Sequence, residues 1–218
     1  MSEFISPNIQ INIRCQPLTT SEIENEEKLK VFIHDERNLS ILLDGEQEKN
    51  FHFHKVYGPD SSQEEIFSSV RPLLHGVLSG EKATVFHYGQ TTAGKTYTVS
   101  GTEENPGLIP RSIHELFDLL QQDQEKENSQ AYQVSCQLFS LNEEQLTDVF
   151  QGSEILRREK VYKFAENNKV TVRHLKDHQL EIKNSSEIVV ASAVEMLDIY
   201  RSGLDWLQWY TCRKGRLL

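Results

Sequence analysis

The chain of 218 residues is long enough for one substantial domain, and its 37% hydrophobic and 26% charged residues are ordinary for a globular protein. Its formal charge of -10 argues against a general nucleic-acid binder, because that affinity depends on lysine and arginine neutralising phosphates. No apolar run approaches the ~18 residues that cross a bilayer, and the three cysteines have no C-x-x-C spacing. We therefore expect a cytoplasmic protein with no nucleic-acid partner, no membrane partner and no disulfide framework.

The first predicted elements are β-strands. In "NIQINIRC" the alternation of Ile9, Ile11 and Ile13 predicts a strand with one buried face. The acid-rich "SEIENEE" that follows is interpreted as a solvated loop. The segments "KLKVFIHD", "LSILLDG" and "NFHFHKVY" predict three strands, and Asp44-Gly45 is typical of a hairpin turn. Together they indicate a small antiparallel group.

A helix is predicted over "SSQEEIFSSVRPLLHGVLSG". Ser62 and Glu65 have the spacing of a capping box, Gly80 suits the end of the helix, and Pro72 should kink it. The following "EKATVFHYG" predicts a short strand. The predicted buried side of the helix comprises Ile66, Phe67, Val70, Leu73, Leu74 and Val77.

The second half of the chain alternates helices with strands. After the turn-rich "VSGTEENPG", a helix is expected from Pro110 with one apolar side, and the polar "QQDQEKENSQ" follows as an exposed connection. "YQVSCQLFSL" predicts a strand, and "KVTVRHL" and "QLEIKN" predict two shorter ones. Finally, "SAVEMLDIYRSG" predicts a helix that begins at a Ser192–Glu195 capping box and ends before Gly203.

The most specific motif lies in "VFHYGQTTAGKTYTVSG". Gly89, Gly94, Lys95 and Thr96 match G-x-x-x-x-G-K-[ST], and a chance match in a chain of this length is on the order of one per cent. Glycines between a strand and a helix let backbone N–H groups face phosphates at the helix N-terminus. Lys95 would meet the outer phosphates and the Thr96 hydroxyl would hold Mg²⁺. The alternative is a glycine turn that matches by chance.

Hydrolysis needs further groups that the residues do not identify. An acidic group near the metal and a residue that positions water are both required. No apolar strand ending in D-x-x-G follows Thr96, and Asp118, Asp148 and Asp198 lie in or beside helical or loop patterns. The residues therefore predict a nucleotide site and no catalytic residue.

The stretch from "FHFHKVYGPD" to "IPRSIHELF" resembles the first half of a kinesin motor domain. The phosphate loop of this stretch has the kinesin form Y-G-Q-T-x-x-G-K-T-Y/H-T, and an insertion and G-L/I-I-P-R follow it. Upstream, "INIRCQPL" is similar to the first strand of the family. Downstream, "VSCQLFSLNEEQLTDVF" and "LEIKNSSEIVVASAVEMLDIYRSG" are similar to later segments, so the resemblance covers about residues 8 to 203.

The resemblance implies an α/β P-loop NTPase whose central mixed sheet is flanked by helices. It implies ATP and Mg²⁺ as cofactors, microtubules as the partner and a cytoskeletal location. It also implies that Tyr97 stacks on the adenine, that Arg14 and Pro17 flank the base, and that Val99 to Gly107 form a loop interrupting a helix. The implied phosphate loop is Gly89, Gln90, Thr91, Thr92, Ala93, Gly94, Lys95 and Thr96, with Thr96 also at the metal.

The sequence departs from the family pattern in several places. Gln16 replaces the second arginine of R-x-R-P-L, and His54 stands where aspartate is common. After Gly203 the family continues to N-x-x-S-S-R-S-H and D-L-A-G-S-E, whereas this sequence continues with "LDWLQWYTCRKGRLL". The abrupt change is typical of a shortened isoform or an imperfect gene model.

These departures predict a partial motor domain over residues 1–203 and a divergent tail over 204–218, incomplete for hydrolysis and poorly stable. The alternative is a non-enzymatic, degenerate kinesin-like module that binds a partner protein. A small P-loop kinase is disfavoured, because nothing resembles an acceptor site. His52 with His54, and His174 with His178, are interpreted as surface pairs and not as metal ligands.

Overall fold

The computed structural model describes residues 9–26, 29–43, 47–126, 131–152, 161–163, 170–174 and 180–214. The chain divides into two compact units, Met1–Ser112 and Ile113–Leu218, and each contains both helices and strands. No helix within the described ranges is long and apolar enough to cross a membrane.

The strands of the first unit form two small sheets. One is a parallel pair and the other is antiparallel, which confirms the predicted antiparallel group. The predicted Asp44-Gly45 turn lies outside the described residues. The parallel pair is β1 (Asn12–Arg14) with β5 (Lys55–Tyr57), and the antiparallel sheet is β2 (Val31–Ile33), β3 (Asn38–Leu42) and β4 (Glu48–His52).

Three local predictions at the start of the chain are wrong. Ile9 and Ile11 are 60% and 53% exposed, because β1 begins only at Asn12 and pairs along three residues. The stretch "NFHFHKVY" contains parts of two strands, since β4 ends at His52 and β5 begins at Lys55. The acid-rich segment forms helix α1 (Thr20–Glu24), whose capping box from Thr19 stabilises its start.

The helix predicted over residues 62–80 is two helices, α2 (Gln63–Phe67) and α3 (Arg71–Leu78). Pro72 lies in the first turn of α3, where a backbone N–H would have no partner within the helix, so proline is tolerated there. The predicted single helix is therefore interrupted before Pro72 and is not kinked at it. The Ser62–Glu65 capping box is confirmed, with bonds in both directions. Gly80, with φ of 88°, follows the end of α3 as predicted.

The predicted strand "EKATVFHYG" is not formed. Residues 81–90 have no regular secondary structure, and no strand of the described residues pairs with them. Phe86 and Tyr88 are 82% and 92% exposed, and their rings stack with centroids 6.5 Å apart. A strand needs a neighbour for its backbone groups, so an alternating apolar pattern alone does not produce one.

Two helices follow the glycine-rich loop, α4 (Lys95–Val99) and α5 (Leu108–Gln124). The turn-rich connection between them is closed by a bridge from Gly101 to Pro106, which agrees with the predicted interruption. In the first unit the core consists of Tyr57, Ile66, Phe67 and Leu108.

Among its described residues, the second unit contains three small sheets, most of α5 and two further helices, with a core of Phe150, Ile188 and Val190. The predicted strand "YQVSCQLFSL" is divided into β6 and β7, whereas the two short strands predicted between residues 169 and 184 are confirmed as an antiparallel pair. The elements are β6 (Val134–Cys136), β7 (Phe139–Asn142), β8 (Gln145–Asp148), α6 (Val149–Gly152), β9 (Val161–Lys163), β10 (Thr171–His174), β11 (Leu180–Lys183), β12 (Glu187–Val190) and α7 (Ala193–Lys214).

Helix α7 does not end at Gly203, so that prediction is wrong. Ser192 caps its start by accepting from the Glu195 amide, and the helix continues to Lys214. Gly203 is buried, and a Cβ placed there would lie 2.5 Å from Leu138 Cδ2. This glycine therefore allows close packing against Leu138 and does not form a left-handed helix end.

Candidate functional site

The glycine-rich loop has the turn geometry that its residues predict. Gly94 adopts the left-handed conformation, with φ of 74°, directly before α4. Thr92 also has a positive φ, of 69°, and the Ala93 amide closes a turn by donating to the Gln90 carbonyl at 3.2 Å. Residues 89–94 are therefore folded back and not extended.

Most backbone amides of this loop have no acceptor. The Ala93 amide donates to Gln90, but five nearby amides donate to no acceptor within the described parts of the chain. Unpaired amides at the start of a helix are a favourable environment for an anion. The amides concerned are those of Thr91, Thr92, Gly94, Lys95 and Thr96.

The Lys95 side chain bends back onto the loop that precedes it. Its Nζ donates to the Gly89 carbonyl at 2.8 Å and to the Gln90 carbonyl at 2.6 Å. The ammonium is thus held against the loop, and the loop combines a positive charge with several N–H donors. That combination suits a ligand with several anionic oxygens.

A cleft of about 850 Å³ lies beside the loop within the first unit. Seven of the eleven predicted binding residues line it, whereas Gln90, Thr91, Thr92 and Thr96 do not. Gln16 also lines it, and its Oε1 lies 3.4 Å from the position of a Cβ on Gly94. The seven are Arg14, Pro17, Gly89, Ala93, Gly94, Lys95 and Tyr97.

The sequence profile of the kinesin motor domain matches residues 14–210. This chain belongs to the kinesin family.

Several plant kinesins are similar to this chain. It is 28% identical over 204 residues to kinesin-like protein KIN-14F of Oryza sativa subsp. japonica, a match that covers 90% of this chain and 19% of that protein. It is 32% identical over 165 residues to kinesin-like protein KIN-14I of Arabidopsis thaliana, covering 73% of this chain and 15% of that protein. The chain thus spans less than a fifth of these relatives.

The fold is also that of a kinesin motor. A solved structure described as "Structure of a fast kinesin: Implications for ATPase mechanism and interactions with microtubules" superposes with a TM-score of 0.77 and 25% identity. The match covers 91% of this chain and 53% of that chain. The predicted P-loop NTPase fold of kinesin type is confirmed.

Arg14 of this kinesin is held at the cleft by a hydrogen-bond network. Its Nη1 donates to Gln63 Oε1 and to Thr98 Oγ1, both at 2.9 Å, and its Nη2 donates to the Ser61 carbonyl at 3.3 Å. Its guanidinium carbon lies 5.1 Å from the centroid of the Tyr97 ring. Burial lowers the pKa of Arg14 and Tyr97 opposes that shift, but a guanidinium remains charged.

Gln63 and Thr98 were missed in the sequence analysis of the site. The Ser62–Glu65 capping box indicated where α2 begins, yet it carries no information about where Gln63 points. Gln63 and Arg14 are 49 residues apart, and Thr98 and Arg14 are 84 apart. A family motif could have suggested these residues, but local patterns could not.

The described residues offer few ligands for a metal ion. They contain no group of three or more His, Cys, Asp or Glu side chains that could hold one. Thr96 is exposed at the start of α4, so its hydroxyl is accessible. The donor set fits Mg²⁺ held mainly by phosphate oxygens and water, with one hydroxyl from the chain.

Proposed function

We propose that this chain binds ATP together with Mg²⁺ in the cleft beside its glycine-rich loop. The observation that carries the proposal is the loop itself, where amides without an acceptor, a lysine ammonium and a left-handed Gly94 occur within a few residues of one another. Lys95 would exchange its bonds with the loop carbonyls for bonds to the outer phosphates. The remaining phosphate contacts would come from the backbone of Gly89, Gln90, Thr91, Thr92, Ala93 and Gly94.

The base would be held at the other end of the cleft. Tyr97 is partly exposed and offers an aromatic face, while Arg14 and Pro17 line the same cleft. An aromatic ring and a proline provide apolar contact for a flat heterocycle, and a fixed guanidinium adds a planar donor. Thr96 would hold the Mg²⁺ ion, which supplies charge neutralisation on the phosphates.

We propose further that ATP binding in this cleft drives movement along microtubules. Membership of the kinesin family supports this activity and a place on the cytoskeleton. No residue of this chain is assigned a catalytic role.

The test is ATP binding by the purified chain, measured by isothermal titration in the presence of Mg²⁺. Lys95→Ala should weaken ATP binding by about a hundredfold, because a charged hydrogen bond to phosphate contributes roughly 1.5 to 3 kcal/mol. Lys82→Ala is the matched control, since Lys82 is an exposed lysine of the same unit. Equal affinities of the Lys95→Ala and wild-type chains would refute the site.

The second candidate function is a non-enzymatic module that binds a partner protein. The exposed, stacked pair Phe86 and Tyr88 favours it, because exposed aromatic groups are typical of interaction surfaces. Microtubule-stimulated ATPase separates the two functions. Turnover that disappears in Lys95→Ala supports a motor, whereas partner binding that the substitution leaves unchanged supports the module.

A further inference from the structure

Gln63 is a buried polar side chain that joins two of the proposed base-binding residues. It is the first residue of α2 and only 3% exposed. Its Oε1 accepts from Arg14 Nη1 at 2.9 Å, and its Nε2 donates to the Tyr97 carbonyl at 2.7 Å. Because an amide has an acceptor end and a donor end, the two bonds together fix its orientation.

The Ser62–Glu65 capping box holds Gln63 in place from the other side. It fixes the first turn of α2, and Gln63 is the residue that directly follows the cap. The Tyr97 carbonyl lies in the last turn of α4, where helix carbonyls lack a partner within the helix. Gln63 therefore provides a hydrogen-bond donor for a carbonyl at the end of α4 and an acceptor for the Arg14 guanidinium, and it links α2 to α4.

Neither of these two bonds involves the phosphate loop. Lys95 bonds to Gly89 and Gln90, while Gln63 bonds to Arg14 and Tyr97. The cleft thus has two separately supported parts. One consists of the loop amides and Lys95, and the other consists of Arg14 and Tyr97 held through Gln63.

We propose that Gln63 is a positioning residue for the purine base: it holds the Arg14 guanidinium and the Tyr97 backbone in the arrangement that receives the base. This inference rests on the proposed ATP site. Gln63 acts on the base end alone, so a ligand without a base does not depend on it.

The experiment compares ATP with inorganic tripolyphosphate, both with Mg²⁺, on the full chain. Gln63→Met keeps the length of the side chain but removes both bonds, and it should weaken ATP binding by about tenfold. Tripolyphosphate affinity should stay within about twofold of wild type, since that ligand contacts only the loop. Gln121→Met, on an exposed position of α5, should change neither affinity.

A second variant addresses the possibility that Gln63→Met does not fold. Gln63→Glu keeps an acceptor for Arg14 but places a carboxylate against the Tyr97 carbonyl, so it should also weaken ATP selectively. In an Arg14→Met background, Gln63→Met should cost ATP binding less than it does alone, because the bond between the two is already lost.

The outcomes separate this inference from the site on which it rests. If wild type binds neither ligand, or if Lys95→Ala binds both as well as wild type does, the nucleotide site is refuted and the role of Gln63 with it. If wild type binds both and the Gln63 variants weaken both equally, or neither, the site stands and the positioning role is overturned.

Discussion

The left-handed conformation of Gly94 makes the backbone shape of the loop depend on this one residue. Its φ of 74° lies in a region that residues with a side chain rarely adopt, and a Cβ on Gly94 would lie 3.4 Å from Gln16 Oε1. Gly94→Ala should destabilise the chain by about 1 kcal/mol and weaken ATP binding by about tenfold, because the amides on either side would turn away. Thermal unfolding and isothermal titration measure the two effects.

Gly80→Ala is the control for backbone strain. Gly80 has a φ of 88°, and a Cβ there would meet nothing within 4 Å. It should show a similar loss of stability with unchanged ATP affinity. Similar ATP losses in both variants would show that Gly94 matters to the fold and not to the ligand.

At the scale of elements, helix propensity and close packing have opposite effects on the stability of a variant with alanine in place of Gly203. Replacing glycine by alanine within a helix normally stabilises by about 1 kcal/mol. In α7, however, the new Cβ would overlap Leu138, which packs against the core of the second unit. Gly203→Ala should therefore destabilise by about 1 to 2 kcal/mol in chemical denaturation.

Gly76→Ala in α3 is the matched helix substitution. Its nearest neighbour would be the carboxylate end of Glu81, which is exposed and can move away. This variant should be as stable as wild type or more so. A stabilising effect of Gly203→Ala would contradict the packing role.

Several elements that depend on adjacent residues were predicted from the sequence, although helix α1 with its Thr19 capping box was missed. The Ser62–Glu65 box, the Gly80 helix end and the glycine spacing of the loop all act within a few residues, and the structure contains each of them. Elements that depend on a distant partner were not. Residues 81–89 alternate like a strand but lack a neighbour among the described strands. Gly203 lies inside α7, where it packs closely against Leu138, and does not end the helix.

The candidate site divides in the same way. Its proposed phosphate part is one continuous motif, Gly89 to Thr96, so sequence alone predicts it. The residues that support the proposed base end are not predictable in this way. Gln63 is hydrogen-bonded to Arg14 and Tyr97, which are 49 and 34 residues away in the sequence. Only the folded chain brings those atoms together.

At the scale of the whole molecule, the exposed apolar surface should govern behaviour in solution. Phe86 and Tyr88 offer roughly 300 to 500 Å² of aromatic surface between them, a patch size found at interaction sites. Replacing both by threonine should raise the dissociation constant for self-association by about tenfold or more, as measured by sedimentation velocity.

Val194→Thr is the control for this effect. Val194 is 65% exposed on α7 and is a single aliphatic group instead of a stacked aromatic pair. It should leave self-association unchanged. If the double variant associates as strongly as wild type, the aromatic pair is not the surface responsible.

The bonds from Lys95 to its own loop have a consequence for the affinity of the proposed nucleotide site. The Gly89 and Gln90 carbonyls accept hydrogen bonds from the ammonium that the proposal assigns to the outer phosphates. A triphosphate would compete with these carbonyls, so its apparent affinity would equal its intrinsic affinity multiplied by the fraction of time for which the lysine is released. The two carbonyls would therefore act as an internal competitor for Lys95.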